Sequence, residues 1–286
     1  MKRLLKILLG FALGFPMLAA GQAPQSDAPP VAIVSDAQGE AFVLANPGPV
    51  RLTLLRELQP GQVLRLDAGS KVIVVFLPGG QVYELSGAGR FRVRAKTIEP
   101  LDARNPPRKR ELPSSLQHLA VKPSDVSQGA VIMRGGAVSE RVVLIRPSNS
   151  ITSQQGMVFE WRPVATTVYR FLLVDEQGNK TIETDVGEPR YELPPGVTLA
   201  EGKPYVWVVS ARNQRGVTTE SAAEFTILPS VQRSALEAAR PATNADFTER
   251  LVFALALEQR GLKDEAQRYW SELASDRPEL RPRVER

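Results

Sequence analysis

Few residues in this chain have the type and spacing that an enzyme active site needs. The 286 residues include one histidine, His118, and no cysteine, so a Ser-His-Asp site would depend on His118 and a thiol nucleophile is excluded. No G-x-S-x-G, S-x-x-K, P-loop or G-x-G-x-x-G pattern occurs. The glycine of DEQGNK, which starts at Asp175, comes too early for a calcium loop and predicts a hairpin turn. We therefore expect no catalytic residue, cofactor or metal site.

Basic residues form the clearest cluster of chemically active side chains. Between positions 90 and 122 the sequence has nine basic and three acidic residues. Such a cluster can attract an anionic partner, for example a lipid headgroup or an envelope polymer. The alternative is a solvated linker next to a strand with alternating arginines. The candidate residues of an anionic-ligand patch are Arg90, Arg92, Arg94, Arg108, Lys109 and Arg110.

Aromatic residues are concentrated in VFEWRPVATTVYRFLLVDEQGN, residues 158–179. They could form a ligand platform or the interior of a sandwich. Phe159, Trp161, Tyr169 and Phe171 alternate in phase with apolar residues of a later strand, whereas Glu160 lies on the opposite parity. Period-two alternation places such residues on one face of a sheet. The pattern therefore predicts that the four aromatic side chains are core.

Short strands separated by glycine and proline turns fill residues 31–95, which predicts an all-β module. The segment LQPGQVLRLDAGSKVIVVFLPGGQVYEL, residues 58–85, resembles the FecR-like periplasmic domain in the order of its turns and strands. The family often has Asp-Gly-Ser where this chain has Pro78-Gly79-Gly80. Residues 96–125 are rich in proline and charge, and their composition predicts a linker.

A second β module is predicted over residues 126–228, with six or seven strands at regular spacing. The segment 156–228 resembles a fibronectin type III domain, and Leu199, Gly202 and Tyr205 match that family's tyrosine corner. The resemblance implies a sandwich that acts as a spacer or interaction module.

Helical periodicity begins after the second β module, in residues 247–261 and 262–278. The pair resembles one tetratricopeptide unit. The residues that match its spacing are Ala254, Leu257, Gly261, Ala266, Trp270, Leu273 and Pro278. One unit cannot bury its apolar side alone, so that side is expected to pack on the β modules or on a partner. The candidate partner-contact residues, within a domain at 233–286, are Leu251, Leu255, Tyr269 and Trp270.

The N-terminal residues resemble an export signal over positions 1–21. Lys2, Arg3 and Lys6 precede an apolar run, and small residues follow it. A membrane anchor is the alternative, although the run is short for a span of about 20 residues. We expect cleavage and a periplasmic location, with secretion as the alternative.

Together these features predict a mainly β, multi-domain protein with a short C-terminal helical hairpin. The expected function is a non-enzymatic scaffold or adaptor that contacts an envelope or membrane protein. Two alternatives are a binding module for peptidoglycan or another anionic envelope ligand, and a periplasmic sensory subunit of a membrane signalling protein. Export argues against a nucleic-acid partner.

Overall fold

The computed structural model describes residues 28–119, 121, 142–147, 149–151, 156–164, 168–212 and 216–284. The predicted export signal and the start of the predicted second module, residues 126–141, lie outside these ranges. Within them the chain is mainly β, with helices towards its C-terminal end, as the sequence predicts.

Two five-stranded sheets form the first β-sandwich. Sheet 1 has the order β10-β7-β6-β1-β4 and sheet 2 the order β3-β2-β5-β8-β9. All of their strand pairs are antiparallel. The strands are β1 (Ala32–Gln38), β2 (Ala41–Leu44), β3 (Val50–Arg51), β4 (Glu57–Leu58), β5 (Val63–Leu66), β6 (Lys71–Phe76), β7 (Gln81–Ser86), β8 (Gly89–Val93), β9 (Ile98–Pro100) and β10 (Arg108–Glu111).

Alternating apolar residues fill the space between these two sheets. Leu64 and Leu66 of β5 are buried, and so are Phe91 and Val93 of β8. The residues between them point away from the core, as the pleat of a strand requires. Sheet 1 contributes Val72, Val74 and Phe76, among others, to the same core.

The segment predicted as a solvated linker, residues 96–125, is largely structured where it is described. Strand β9 pairs with β8, and β10 pairs with β7. A short helix, α1 (Ser114–Gln117), follows. The sequence RKRE of β10 carries only charged side chains, but an edge strand is held by backbone hydrogen bonds that its side chains do not reveal. Leu112, Leu116, Leu119 and Val121 are buried.

A second sandwich consists of sheet 3, with the order β11-β13-β16, and sheet 4, with the order β12-β18-β17-β14-β15. The β12 strand runs parallel to β18, and the other described pairs are antiparallel. The strands are β11 (Leu144–Arg146), β12 (Asn149–Ile151), β13 (Val158–Trp161), β14 (Tyr169–Val174), β15 (Lys180–Val186), β16 (Arg190–Glu192), β17 (Pro204–Arg212) and β18 (Thr218–Ile227).

Aromatic rings form the interior of the second sandwich. Phe159, Trp161, Tyr169 and Phe171 are all buried, which confirms the interpretation of this stretch as core. The rings of Phe159 and Phe171 meet edge to face with centroids 4.8 Å apart, an arrangement that aromatic pairs favour. The Trp207 indole N–H also donates a buried hydrogen bond of 3.1 Å to the Pro147 carbonyl oxygen.

The helices at the C-terminal end include the predicted pair, one longer helix before it and short helical turns after it, which the sequence pattern did not predict. They are α2 (Ser230–Ala239), α3 (Phe247–Gln259), α4 (Lys263–Asp276), a 3₁₀ turn (Pro278–Leu280) and α5 (Arg281–Val284). Helix α2 was missed because most of its SVQRSALEAA sequence is polar or small. None of the helices in the described ranges has the length and apolarity needed to cross a membrane.

Both ends of α3 have recognisable capping interactions. The Asp246 side chain accepts a 2.9 Å hydrogen bond from the Glu249 backbone N–H, which satisfies one of the free donors at the helix start. At the other end Gly261 has φ of +73°. The Leu262 N–H donates to the Leu257 carbonyl and the Gly261 N–H to the Glu258 carbonyl, which is the Schellman pattern.

The helices pack against the outer surface of sheet 1 and share one core with it. Ile33, Val75 and Val82 of the sheet belong to the same buried cluster as the inward side chains of α3 and α4. Leu112, Leu116 and Leu119, from the segment predicted as a linker, also belong to this cluster, and so does Leu236 of α2. Of the two alternatives for the apolar side of the helix pair, packing on a β module is therefore the one observed.

Polar contacts fix the position of the helices on the sheet. A buried hydrogen bond of 3.1 Å joins the Ser35 and Thr248 hydroxyl oxygens. Arg277, just after α4, donates to the largely buried Asp36 carboxylate at 3.1 Å. Arg260 donates to the Leu119 carbonyl oxygen at 2.5 Å, and burial lowers the pKa of this guanidinium. These contacts define one docking position, since unpaired buried polar groups are costly.

Replacing Trp161 by alanine should remove a large part of the second core. We expect the free energy of unfolding to fall by about 3–5 kcal/mol, the usual cost of a buried aromatic lost. Chemical denaturation measures it. The neighbouring exposed change Arg162→Ala serves as the control, with an expected effect within about 0.5 kcal/mol. A folded Trp161→Ala protein of unchanged stability would show that the indole is not a core group.

Candidate functional site

The six predicted anionic-ligand residues lie in two different sheets of the first sandwich. Arg90 and Arg92 are on β8 of sheet 2, with Arg94 directly after it. The other three are on β10, at the edge of sheet 1. The structure therefore does not bring them together as one patch, because the two strands belong to opposite layers of the sandwich.

The β10 residues have mainly structural contacts. Arg110 forms a 2.6 Å ion pair with Asp246, the residue that caps α3. It thereby connects the edge of sheet 1 to the helix start. Lys109 lies 3.5 Å from Glu111. The guanidinium of Arg110 therefore has a partner within the chain, and its place in a ligand site stays a prediction.

Acidic side chains hold two of the β8-region arginines in place. Arg90 donates to Asp102 through its backbone N–H and its Nε, each at 2.7 Å. These two hydrogen bonds, the side-chain bond first, hold the pKa of Asp102 below its usual range. Arg94 pairs with Glu99 at 2.6 Å. Both pairs are exposed, so solvent screens them, and they orient the guanidinium groups.

Sheet 2 adds further arginines that the sequence analysis did not select. Arg51 and Arg65 both lie directly across from Phe42, and Arg65 also lies across from Arg90. Directly paired residues share one face of a sheet. The Arg65 guanidinium stacks over the Phe42 ring at 4.7 Å, a favourable cation–π geometry. We call this outward surface the arginine face, and its members are Arg51, Arg65, Arg90, Arg92 and Arg94.

The middle of the arginine face also has apolar side chains. Val63 pairs with Leu44 on one side and with Arg92 on the other. Leu44 is exposed, and Val63 and Phe42 are half-buried. Arg92 has no ion pair within the described part of the chain. An exposed surface that combines apolar groups with arginine has the composition that protein interfaces favour.

The predicted partner-contact residues of the helices are mostly inaccessible. Leu251, Leu255 and Trp270 are 0%, 1% and 2% exposed. Tyr269 is half-buried and packs edge to face on Phe253 at 5.0 Å. These residues cover sheet 1 or the neighbouring helix, so a partner could reach them only by displacing α3 and α4. Contact of these residues with a partner stays a prediction, and in this structure they pack within the chain.

An apolar surface lies instead on the outer side of sheet 4. Its rows follow from the strand register, in which Leu172 pairs with Val208 and Val174 with Val206. Val208 also pairs with Ala222. All five side chains are at least partly exposed. We call this surface the valine face: Leu172, Val174, Val206, Val208 and Ala222.

Charged residues surround the valine face, and acids outnumber bases. The acids are Glu183, Asp185, Glu220 and Glu224, and the bases are Arg170, Lys180 and Arg212, all on the same outward parity. Lys180 and Arg170 each bond Glu183 at 2.8 Å. These bonds, that from Lys180 first, lower the pKa of Glu183. An apolar centre with a charged rim is the usual anatomy of a protein interface.

The sequence contained the signal for the valine face. The alternation that places Tyr205, Trp207 and Val209 inside also places Val206 and Val208 outside. Most outward-facing residues of a solvent-exposed sheet are polar. A group of apolar residues on that face therefore indicates a possible binding surface. The outward residues beside Trp161, Glu160 and Arg162, are charged and give no sign of this surface.

A cleft of about 510 Å³ lies between the first sandwich and the C-terminal segment. Asp36, Arg51 and Arg283 are among its lining residues. Each is paired within the chain, with Arg277, Glu40 and Glu258 respectively. These three charged groups therefore already have partners within the chain. Across the described ranges, no group of three or more metal-ligating side chains is placed to hold an ion.

Comparison with known proteins gives no family assignment. No protein-family model matches the sequence, and no curated protein matches it. Among solved structures, CopC from Methylosinus trichosporium OB3b aligns with a TM-score of 0.25 and 19% identity, over 32% of this chain and 96% of that one. A β-1,2-glucanase from Parabacteroides distasonis aligns with a TM-score of 0.21 and 10% identity, over 87% of this chain and 48% of that one. Likeness at this level supports no inference about fold or function.

Replacing Leu255 by alanine tests whether the helices belong to the core. Because this α3 side chain is buried in the core that the helices share with sheet 1, we expect a loss of about 2–5 kcal/mol in the free energy of unfolding. Chemical denaturation measures it against Glu272→Ala, an exposed change on α4. If Leu255→Ala is as harmless as the control, the helices do not contribute to the stability of the chain.

Proposed function

We propose that this protein is an exported, non-enzymatic adaptor of the cell envelope that docks a protein partner through the valine face. The observation that carries the proposal is the apolar centre of that face within a rim of charged residues. Such a surface suits a partner with a matching apolar centre and a rim of complementary charges, because charge complementarity orients the encounter. The periplasmic location rests on the export-like N-terminus.

Features of the second sandwich support its assignment as a fibronectin type III-like interaction module. The Tyr205 hydroxyl oxygen accepts a 2.8 Å hydrogen bond from the Ala200 backbone N–H, and Leu199 is buried beside it. Gly202 has φ of +72°, which favours glycine. This is the arrangement expected of a tyrosine corner. The three-stranded and five-stranded sheets over one core agree with that assignment.

The remaining modules are proposed to be structural supports in this adaptor. The FecR-like resemblance accounts for the strands and turns of the first sandwich. The tetratricopeptide-like helix pair stabilises that sandwich by covering sheet 1. Partner binding is therefore assigned to the exposed sheet surfaces, and the helix pair is not the recognition element.

The docking proposal can be tested by combining crosslinking with a surface substitution. A photo-crosslinking amino acid at Ala222, in the native host, should attach a specific protein. The change Val208→Lys should abolish that product, because it places a charge at the apolar centre. The matched control is Val231→Lys on α2, where the side chain is 81% exposed and away from the face.

Melting temperature provides the check on folding in this experiment. Both lysine variants should melt close to the parent protein, since a lysine stem can extend into solvent from a partly exposed position. The proposal fails if the crosslinked product forms equally well with Val208→Lys, or if both lysine variants lose it to the same extent.

The arginine face favours a second candidate function, binding of an anionic envelope polymer such as peptidoglycan. Four of its five guanidinium groups form exposed ion pairs with acids of the same surface, which contribute little and can be exchanged for a ligand carboxylate. Arg92 has no such pair in the described ranges and offers paired N–H donors directly. We expect purified cell-wall material to retain the protein at low salt and to release it as salt rises.

The change Arg92→Glu should weaken this retention, whereas Lys263→Glu, on α4, should not. Failure of the parent protein to bind at low salt would reject this second function. It would leave the valine-face proposal unaffected, since that face lies on the other sandwich.

A further inference from the structure

We propose that the outer edge of β15 binds an extended segment of a partner protein as an added strand of sheet 4, and that this segment has apolar residues at alternate positions. The edge presents backbone groups, whereas the valine face presents side chains. The inference therefore goes beyond the docking site proposed above and does not depend on it.

The first argument is the length of this edge. Strand β15 contains seven residues, Lys180–Val186, and pairs with β14 alone in the described ranges. The other edge strands of the four sheets have only two to four residues there. Short edge strands are one of the ways in which proteins prevent unwanted strand pairing. In the described part of the chain, β15 is the edge strand that lacks this protection.

Backbone hydrogen-bonding groups are open along this edge. In an antiparallel pair, alternate residues direct both their N–H and their C=O group away from the neighbouring strand, so about three of the seven residues of β15 face outward. Within the described ranges, no backbone hydrogen bond joins β15 to an element other than β14. The Asp185 carbonyl oxygen accepts a long side-chain bond, 3.4 Å, from the Thr184 hydroxyl. A row of such groups pairs best with another extended backbone.

The opposite edge of sheet 4 has neighbours from the chain itself. Strand β12 pairs with residues 225–227 of β18, and further along β18 the Ser221 hydroxyl donates a hydrogen bond to the Val142 carbonyl oxygen. Of the two edges of this sheet, β15 is the one to which no further segment is hydrogen-bonded in the described ranges.

The second argument is the incomplete burial of the core beside β15. Its inward side chains, Ile182, Thr184 and Val186, pair with the fully buried inward row of β14. Each of the three is nevertheless only half-buried. An added strand places its own inward side chains directly next to this row. Apolar residues at alternate positions of the bound segment would therefore complete the burial, and this defines its side-chain pattern.

A second copy of this chain fits the edge less well than such a segment. In the antiparallel register that pairs all seven residues of two β15 strands, each Ile182 lies opposite Thr184 of the other copy. The two Glu183 side chains lie opposite each other, and like charges in this position are unfavourable. The β15 sequence therefore lacks the apolar pattern that its own edge requires.

Peptide binding to the full chain tests the proposal. The probe is a fluorescently labelled peptide, Lys-Val-Thr-Val-Thr-Val-Lys, which has valine on one parity and polar residues on the other. Fluorescence anisotropy measures its affinity, and hydrogen exchange measures the protection of β15. We expect saturable binding, with slower exchange of those β15 amides that face outward.

Two N-methylated forms of the probe separate backbone pairing from side-chain contact. The N–H groups of alternate residues point to the same edge of an extended peptide. One form carries methyl groups on the three valine amides and the other on the three amides of the opposite parity. One form should bind at least ~10-fold more weakly than the probe, because about three hydrogen bonds are lost together. The other form should bind like the probe.

Thr184→Lys provides the matching test on the protein. An inward-pointing charge on an edge strand is a device that blocks strand addition, so this variant should bind the probe at least ~10-fold more weakly. The control is Thr181→Lys, at an exposed position where the pairing of β15 with β14 is irregular, and it should bind like the parent. Both variants should melt close to the parent. If Thr184→Lys does not fold, the N-methylated pair on the parent protein decides.

Three results would overturn the inference: a parent protein that does not bind the probe, two N-methylated forms that bind equally, or a dimer of the parent that Thr184→Lys dissociates in sedimentation velocity. Probe binding that is lost with Val208→Lys and kept with Thr184→Lys would assign the peptide to the valine face and also overturn it. The crosslinking test at Ala222 does not use this edge, so the two proposals fail separately.

Discussion

The burial of α3 on the outer side of sheet 1 is the contact on which the rest of the structure depends. From Leu251 to Leu257 every side chain of this helix is buried, so it cannot be a surface helix with one solvent face. Helix α3 packs against sheet 1, against α4 and against Leu112, Leu116 and Leu119 of the segment predicted as a linker. The Ser35–Thr248 hydrogen bond and the Arg277–Asp36 ion pair fix its position.

This contact makes the surfaces of the molecule unequal. The outer side of sheet 1 is covered, whereas the outer side of sheet 2 carries arginines and that of sheet 4 carries partly exposed valines. A helix pair without a partner would itself have been the obvious binding element. Because the apolar side of the helix pair packs on sheet 1, the surfaces that we propose for partner binding are the outer sides of sheets 2 and 4. There, apolar residues sit among charges in a fixed register, since neighbouring strands hold them in rows.

Sequence patterns were informative where one residue type determines a local structure. Alternation placed Phe159 and Trp161 in a core, helical spacing located α3 and α4, and Gly261 marked the helix end. The patterns failed where structure depends on distant contacts. The RKRE sequence of β10 resembles a solvated run, yet backbone pairing with β7 makes it a strand. The ion pair between Arg110 and Asp246 joins residues far apart in sequence, so no local pattern could predict it. The surface that α3 covers could not be predicted from sequence. An apolar helix face shows that the helix is buried, but it does not show against which element it packs.

Native-state hydrogen exchange tests the central claim, that α3 and sheet 1 form one cooperative core. The free energy of opening is measured for backbone amides of α3 and of β6 under conditions where exchange reports equilibrium opening. One core predicts that the most protected amides of both elements open with the same, global free energy of unfolding. A helix whose amides exchange through a much cheaper opening, while β6 remains protected, would contradict the claim. It would show that the helix pair can leave the sheet and return its apolar side to a partner.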